Sequence, residues 1–218
     1  MKTDKKLGLE VQKYLIQKGV ETPIVESRLV ESEKIELIRD NMETVIDVLG
    51  LDREDDSIGG TADRVAKMLV KELCYGLSYN RFPKISVFEN KMKYDSMVIQ
   101  KDITFHSLCE HHFVNFNGMA QVAYIPNGKV IGLSKLNRVV NFFARRPQVQ
   151  ERLNEQIFRA LEYVLGTSDI AVLISAEHLC VKSRGIGDQN SGMTTSKLGG
   201  AFFDDPRLRN EFMQLAGR

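Results

Sequence analysis

No apolar run in this sequence approaches the roughly 18–20 residues that a bilayer-spanning helix needs, which excludes an integral helical membrane protein. The opening stretch, MKTDKKLGLEVQKYL, is broken by charges and has no uninterrupted apolar core. No signal peptide is therefore expected, and the expected address is the cytoplasm. Cysteine is scarce, with only Cys74, Cys109 and Cys180. In a reducing compartment these read as thiols or metal ligands, not as a disulfide framework. An excess of one charge is also lacking: 30 Lys and Arg oppose 29 Asp and Glu, for a net +1. That balance gives no global reason to expect nucleic acid or a membrane surface as partner, although a local basic pocket is compatible with it. There is no G-x-G-x-x-G fingerprint for a dinucleotide, no internal repeat and no low-complexity tract. The one candidate boundary is a change of composition near residues 80–95, giving a mainly helical region over 1–95 and a second region over 96–218.

What is present is a chain of 218 residues with 43% hydrophobic content, enough for a sizeable core in one or two domains. Leu7, Val11, Tyr14 and Leu15 follow helical spacing, closed by Gly19 and Pro23. Ile35, Ile38, Met42, Val45, Ile46 and Leu49 form a second apolar stripe, stopped by Gly50. A third helix is predicted with Thr61 as N-cap and Val65, Met68, Leu69 and Leu73 buried, ending near Gly76.

The pattern then turns to strands over 84–89, 97–105 and 119–125. The turn Pro126-Asn127-Gly128-Lys129 predicts a hairpin between 119–125 and 130–133. Ser134 is the expected N-cap of a helix burying Leu136, Val139, Val140 and Phe143. Pro147 is expected in the first turn of the next helix, which carries Val149, Leu153, Ile157, Leu161 and Val164 and ends at Gly166. Residues 169–181 read as a strand, 185–197 as a polar stretch, and a last helix starts near Pro206.

Within Cys109-Glu110-His111-His112 a thiolate and an imidazole stand three positions apart, a spacing that shares one side of a turn. In a strand, His178 and Cys180 at i and i+2 would face the same way. Thiolate with imidazole favours zinc over magnesium or calcium; three protein ligands make a catalytic site and four a structural one. Spacing leaves open whether His111, His112 or His178 is the ligand. His106 reads as an ordinary strand residue, and Cys74, on an apolar helical stripe, as a core residue.

Four motifs, in order and at matching intervals, make the chain from about residue 30 to 216 resemble the GTP cyclohydrolase I family. They are Cys109-Glu110-His111-His112; Ile131-Gly132-Leu133-Ser134-Lys135-Leu136-Asn137-Arg138; Arg146-Pro147-Gln148-Val149-Gln150-Glu151-Arg152-Leu153; and His178-Leu179-Cys180-Val181-Lys182-Ser183-Arg184-Gly185. The resemblance implies an α+β tunnelling fold, in which an antiparallel sheet is backed by a helix pair and preceded by a helical region. It also implies a ring-shaped homodecamer with active sites at subunit contacts. The implied reaction converts GTP and water into 7,8-dihydroneopterin triphosphate and formate, at the entry to folate or pterin synthesis.

Carried over by motif, Cys109, His112 and Cys180 hold one Zn2+ per subunit, which can lower the pKa of bound water toward ~7. His111 and His178 are then left for proton transfer, with His178 the expected donor and His111 its partner. Glu151 reads guanine by accepting from the ring N–H and the exocyclic amine, assisted by Gln150 and the backbone near Val149. Leu133 and Ser134 line base and ribose. Lys135 and Arg138, one helical turn apart, and Arg184 meet the triphosphate, and the resemblance brings Arg64 and Lys67 from a neighbouring subunit. Ala62 replaces a proline common before the Arg64 segment, and Gly192-Met193 interrupts a usually polar run. Two other readings have distinct signatures. A nitrile reductase relative needs a free catalytic cysteine and nicotinamide, whereas a zinc-stabilised scaffold needs four protein ligands.

Overall fold

The computed structural model describes residues 2–25 and 27–217. Three helices open the chain: α1 (Lys5–Gln17), α2 (Glu31–Val48) and α3 (Thr61–Lys67), the last running into a π-helical turn over Met68–Leu73. Strands β1 (Val87–Glu89), β2 (Val98–Cys109), β3 (Asn115–Tyr124) and β4 (Lys129–Ile131) follow, then α4 (Leu133–Ala144), β5 (Pro147–Gln148) and α5 (Gln150–Leu165). The chain ends with β6 (Ile170–His178), α6 (Leu179–Lys182), β7 (Met193–Leu198), α7 (Ala201–Asp204) and α8 (Pro206–Ala216).

The main sheet has the order β5-β2-β3-β6-β7, antiparallel throughout except for the short parallel pair β2–β5. Helices α4 and α5 lie side by side on one face, as an α+β fold with a backing helix pair requires. Leu136, Val139, Val140 and Phe143 of α4 and Leu153, Ile157 and Leu161 of α5 are fully buried there. Each such side chain contributes about 1.5–3 kcal/mol of burial, so this seam is the main hydrophobic core. On the opposite face, Phe202 and Phe212 from α7 and α8 pack on Ala123 and Ala171. Among the described residues no helix is long and apolar enough to cross a membrane.

Gly19, Gly50 and Gly166 end α1, α2 and α5 with φ of 70°, 76° and 69°, the left-handed backbone that stops a helix. Other expectations are corrected. The predicted hairpin does not form: β4 pairs with β1, because β2 and β6 already occupy both edges of β3. Thr61 and Ser134 lie inside their helices, which begin after Gly60 and Gly132. Pro147 belongs to β5, and α5 starts after Val149. In α3 the buried residues are Ala62 and Ala66, whereas Met68 is exposed. On α2 only Ile46 of the apolar stripe is fully buried; Ile35, Ile38 and Met42 are partly covered, and Val45 and Leu49 stay in solvent, since that helix packs chiefly on α3.

Candidate metal centre and active site

The site forms where β2 turns into β3. Cys109 N–H donates to the Val114 carbonyl and Phe113 N–H to the Cys109 carbonyl, at 2.9 and 2.8 Å. Phe113 takes a left-handed φ of 53°, which reverses the chain within four residues of Cys109. That tight loop carries His112 back over the end of β2. From the other side comes β6, whose pairing with β3 ends at Phe116–His178. Beyond His178 the backbone becomes the helical turn α6, so Cys180 does not lie on a strand as predicted. The helical turn still delivers its thiol to the loop. Ligand atoms of Cys109, His112 and Cys180 all lie within 4.8 Å of one another, a group that can hold a metal ion. Of the three candidate histidines, His112 is the one whose ring nitrogen converges with both sulfurs.

The donors suit a soft or borderline ion: two sulfurs and one imidazole nitrogen, with Cys109 buried and His112 exposed. Three protein donors leave further coordination positions to other ligands. Burial, and then the nearby Cys109 thiol, push the Cys180 thiol above its ordinary range. A bound cation would offset that cost and favour the thiolate form of Cys180. His111 is outside the three-residue group, with its Nδ1 4.0 Å from the Cys109 sulfur.

His178 is half-buried and stacks on Phe116, with ring centroids 4.7 Å apart and planes 2° from parallel. Its Nε2 lies 2.8 Å from Oε1 of Gln150. Burial lowers the His178 pKa, and the negative charge of Glu151 opposes that shift. Glu151 sits in the first turn of α5, where the helix dipole favours a carboxylate. It is exposed and borders two open recesses of about 260 and 290 Å³, one toward β7 and one toward Gly19 and Val20.

The cations divide into two kinds. Among the described residues, Lys135, Arg138 and Arg184 make no intrachain salt bridge to a carboxylate, although the charge of Arg184 is felt by the Cys180 thiol. Leu133 and Ser134, one turn before Arg138, are exposed. Arg64 is instead bonded to Ser57 O and Thr61 Oγ1, and Lys67 pairs with Asp63 at 2.6 Å. His106 lies on β2 with its Nδ1 2.9 Å from Asn117 Oδ1, as a strand residue.

Three features had no signal in the linear pattern. Arg152 of α5 pairs with Glu110, bracing the metal loop against the helix that carries Glu151. Phe116 is the platform under His178. Gln150, expected to assist Glu151 at the purine, is instead buried, with its side-chain amide bonded inside the sheet to residues up to 45 positions away.

The sequence model of the GTP cyclohydrolase I family matches residues 38–217. GTP cyclohydrolase 1 of Aeromonas salmonicida (strain A449) is 53% identical over 206 residues, covering 94% of this chain and 94% of that protein. The Vibrio cholerae protein of that name is 52% identical over 203 residues, covering 93% and 94%. That of Haemophilus ducreyi is 50% identical over 206 residues, covering 94% of each. Among solved structures, the archaeosine synthase QueF-Like in the apo form aligns with a TM-score of 0.39 at 18% identity, over 50% of this chain and 99% of that chain.

Proposed function

Because the chain belongs to the GTP cyclohydrolase I family, we propose that the centre at Cys109, His112 and Cys180 is the active site of a GTP cyclohydrolase I. The reaction opens GTP at C8, releases formate and rearranges the remainder to 7,8-dihydroneopterin triphosphate, the first step of folate or pterin synthesis. The observation that carries this reading is the convergence of the three ligand atoms within 4.8 Å, beside the helix start that bears Glu151.

Zinc is the ion these donors suit, and when bound it supplies Lewis acidity for activating water at C8. The residues of this chain do the rest. The Glu151 carboxylate accepts from the guanine ring N–H and from its exocyclic amine, a donor pair adenine lacks, and Gln150 supports that end of α5. His178, with His111 as partner, moves protons at the purine nitrogen and ribose oxygen. Leu133 and Ser134 line base and ribose. Lys135, Arg138 and Arg184 neutralise the triphosphate. In this reading Arg64 and Lys67 act on a neighbouring subunit's site in a homodecamer. Residues 96–218 form the catalytic domain and 1–95 a helical accessory region, in a cytoplasmic enzyme.

The test is formate release from GTP, with fluorescence of the oxidised pterin and metal content measured on the same samples. Glu151→Ala and His178→Ala are expected to fold, retain zinc and lose turnover by about 10²-fold or more. Absence of formate from the parent protein would overturn the assignment. Full activity in either variant would remove that residue's role.

A further inference from the structure

The side chain of Gln150 is 1% exposed, and its polar atoms are committed within the protein. Its Nε2 lies 3.1 Å from the carbonyl oxygen of Ile174, 3.1 Å from that of Met193 and 3.2 Å from Thr195 Oγ1. Backbone carbonyls only accept, so the group that faces them is the NH2 of the amide. The flipped amide would set its oxygen against two carbonyl oxygens in a buried place, at a cost of about 1–3 kcal/mol per unsatisfied group. Two strands, β6 and β7, thus dictate which way this amide points.

That orientation turns Oε1 toward His178, whose Nε2 is 2.8 Å away. An amide oxygen also only accepts, so the contact is a hydrogen bond only when Nε2 carries the hydrogen. The other neutral tautomer would bring a nitrogen lone pair against an oxygen lone pair. Phe116, stacked 2° from parallel, holds the imidazole in the plane the bond needs. Among the described residues, no hydrogen bond engages the Nδ1 of His178.

We propose that Gln150 is a positioning residue that holds the neutral His178 ring as its Nε2–H tautomer, making Nδ1 the nitrogen that exchanges protons with substrate. The tautomer follows from the hydrogen-bond network alone; its use in turnover rests on the proton-transfer role given above to His178. When the ring donates, the Nδ1–H bond breaks, its electron pair stays on Nδ1, and the proton passes to a substrate nitrogen or oxygen. When it accepts, the Nδ1 lone pair forms that bond again. The Nε2–H contact to Gln150 persists through both steps, so the ring cycles without reorienting. Gln150 then serves the reaction through His178 and not by a side-chain contact with the purine.

The experiment is magic-angle-spinning NMR of the full zinc-loaded protein, labelled with ¹⁵N and ¹³C in histidine. His178 is assigned by the signals that vanish in His178→Phe, and spectra are taken where the ring is neutral. The parent is expected to show a protonated Nε2 and a bare Nδ1 at His178. Nδ1–H, or a mixture of tautomers, would overturn the proposal. In Gln150→Met the His178 signals are expected to leave the pure Nε2–H pattern, with kcat falling about 10²-fold and KM for GTP nearly unchanged. An unchanged tautomer in that variant, or a loss confined to KM, would count against it. The parent spectrum decides the matter even if Gln150→Met does not fold. Absence of formate from the parent would sink the GTP reading while leaving the tautomer result intact.

Discussion

Arg146 is fully buried, and its guanidinium meets the carboxylate of Glu21 at 3.1 Å across 125 positions of sequence. The same group donates to the Gly76 carbonyl and, at longer range, to Thr22 Oγ1 and Tyr79 Oη. Its carbon lies 5.0–5.2 Å from the ring centroids of Tyr79, Phe142 and Phe143. One side chain therefore ties the segment after α1, the turn at Gly76 and the end of α4 to the residue that precedes β5 and α5.

Removing one partner of a buried pair leaves an uncompensated charge, which costs about 3–5 kcal/mol. Arg146→Met is expected to lower stability by that order. Glu21→Gln keeps an acceptor but leaves the fully buried guanidinium without its counter-charge, so a comparable loss is expected. Urea midpoints of the two variants check this, and negligible shifts in either would show that the cluster is not an anchor.

Gly76 is the second anchor. A β-carbon there would stand 2.1 Å from the Phe142 carbonyl oxygen and 2.7 Å from that of Arg145. Both are backbone atoms, so no side chain can yield. Gly76→Ala is expected to cost at least about 2 kcal/mol or to prevent folding. Gly128→Ala is the control. Its φ of +72° imposes strain, but nothing lies within 4 Å, and about 1 kcal/mol is expected. Thermal melts of both variants would expose the difference, and a milder effect at Gly76 would contradict it.

Burial lifts the Cys74 thiol from 9.0 to about 11. A folded-state pKa above the unfolded one means stability that is fully present below about pH 9 and lost as pH rises through about 11. Over that window the parent should lose about 2–3 kcal/mol from this source, which Cys74→Ala would not lose. The difference between parent and variant urea midpoints at pH 8, 9.5 and 10.5 isolates the effect from other titrating groups. A constant difference would mean that Cys74 is solvated.

Metal removal has a chemical signature. The sulfurs of Cys109 and Cys180 belong to a group whose ligand atoms lie within 4.8 Å, whereas Cys74 sits elsewhere, after the π-helical turn. Chelation followed by mild oxidation is expected to form the Cys109–Cys180 disulfide and leave Cys74 as a free thiol. Peptide mapping by mass spectrometry reads the pairing, and any bridge that includes Cys74 would argue against the site geometry. Cys180→Ser and His112→Ala should each lower bound zinc at least tenfold.

Helix ends and core faces were legible because they depend on local chemistry. The glycines that end α1, α2 and α5, and the apolar stripes of α4 and α5, obey the periods of a single helix. Strand partners were not, since pairing depends on which edges are already taken. The expected hairpin failed because β3 has none to spare. The apolar stripe of α2 shows the same limit: a stripe shows what can be buried, not what arrives to cover it.

By itself the sequence determined the chemical inventory: two thiols and a histidine for a soft ion, a carboxylate at a helix start, and cations one turn apart. Four motifs in register added the family. The tertiary structure decided which histidine joins the thiols, because the left-handed turn at Phe113 swings His112 back while β6 ends at His178. It also decided that Gln150 points into the sheet and holds His178. Buried amides take the orientation that satisfies every donor and acceptor around them, and those neighbours are assembled only when the strands pair.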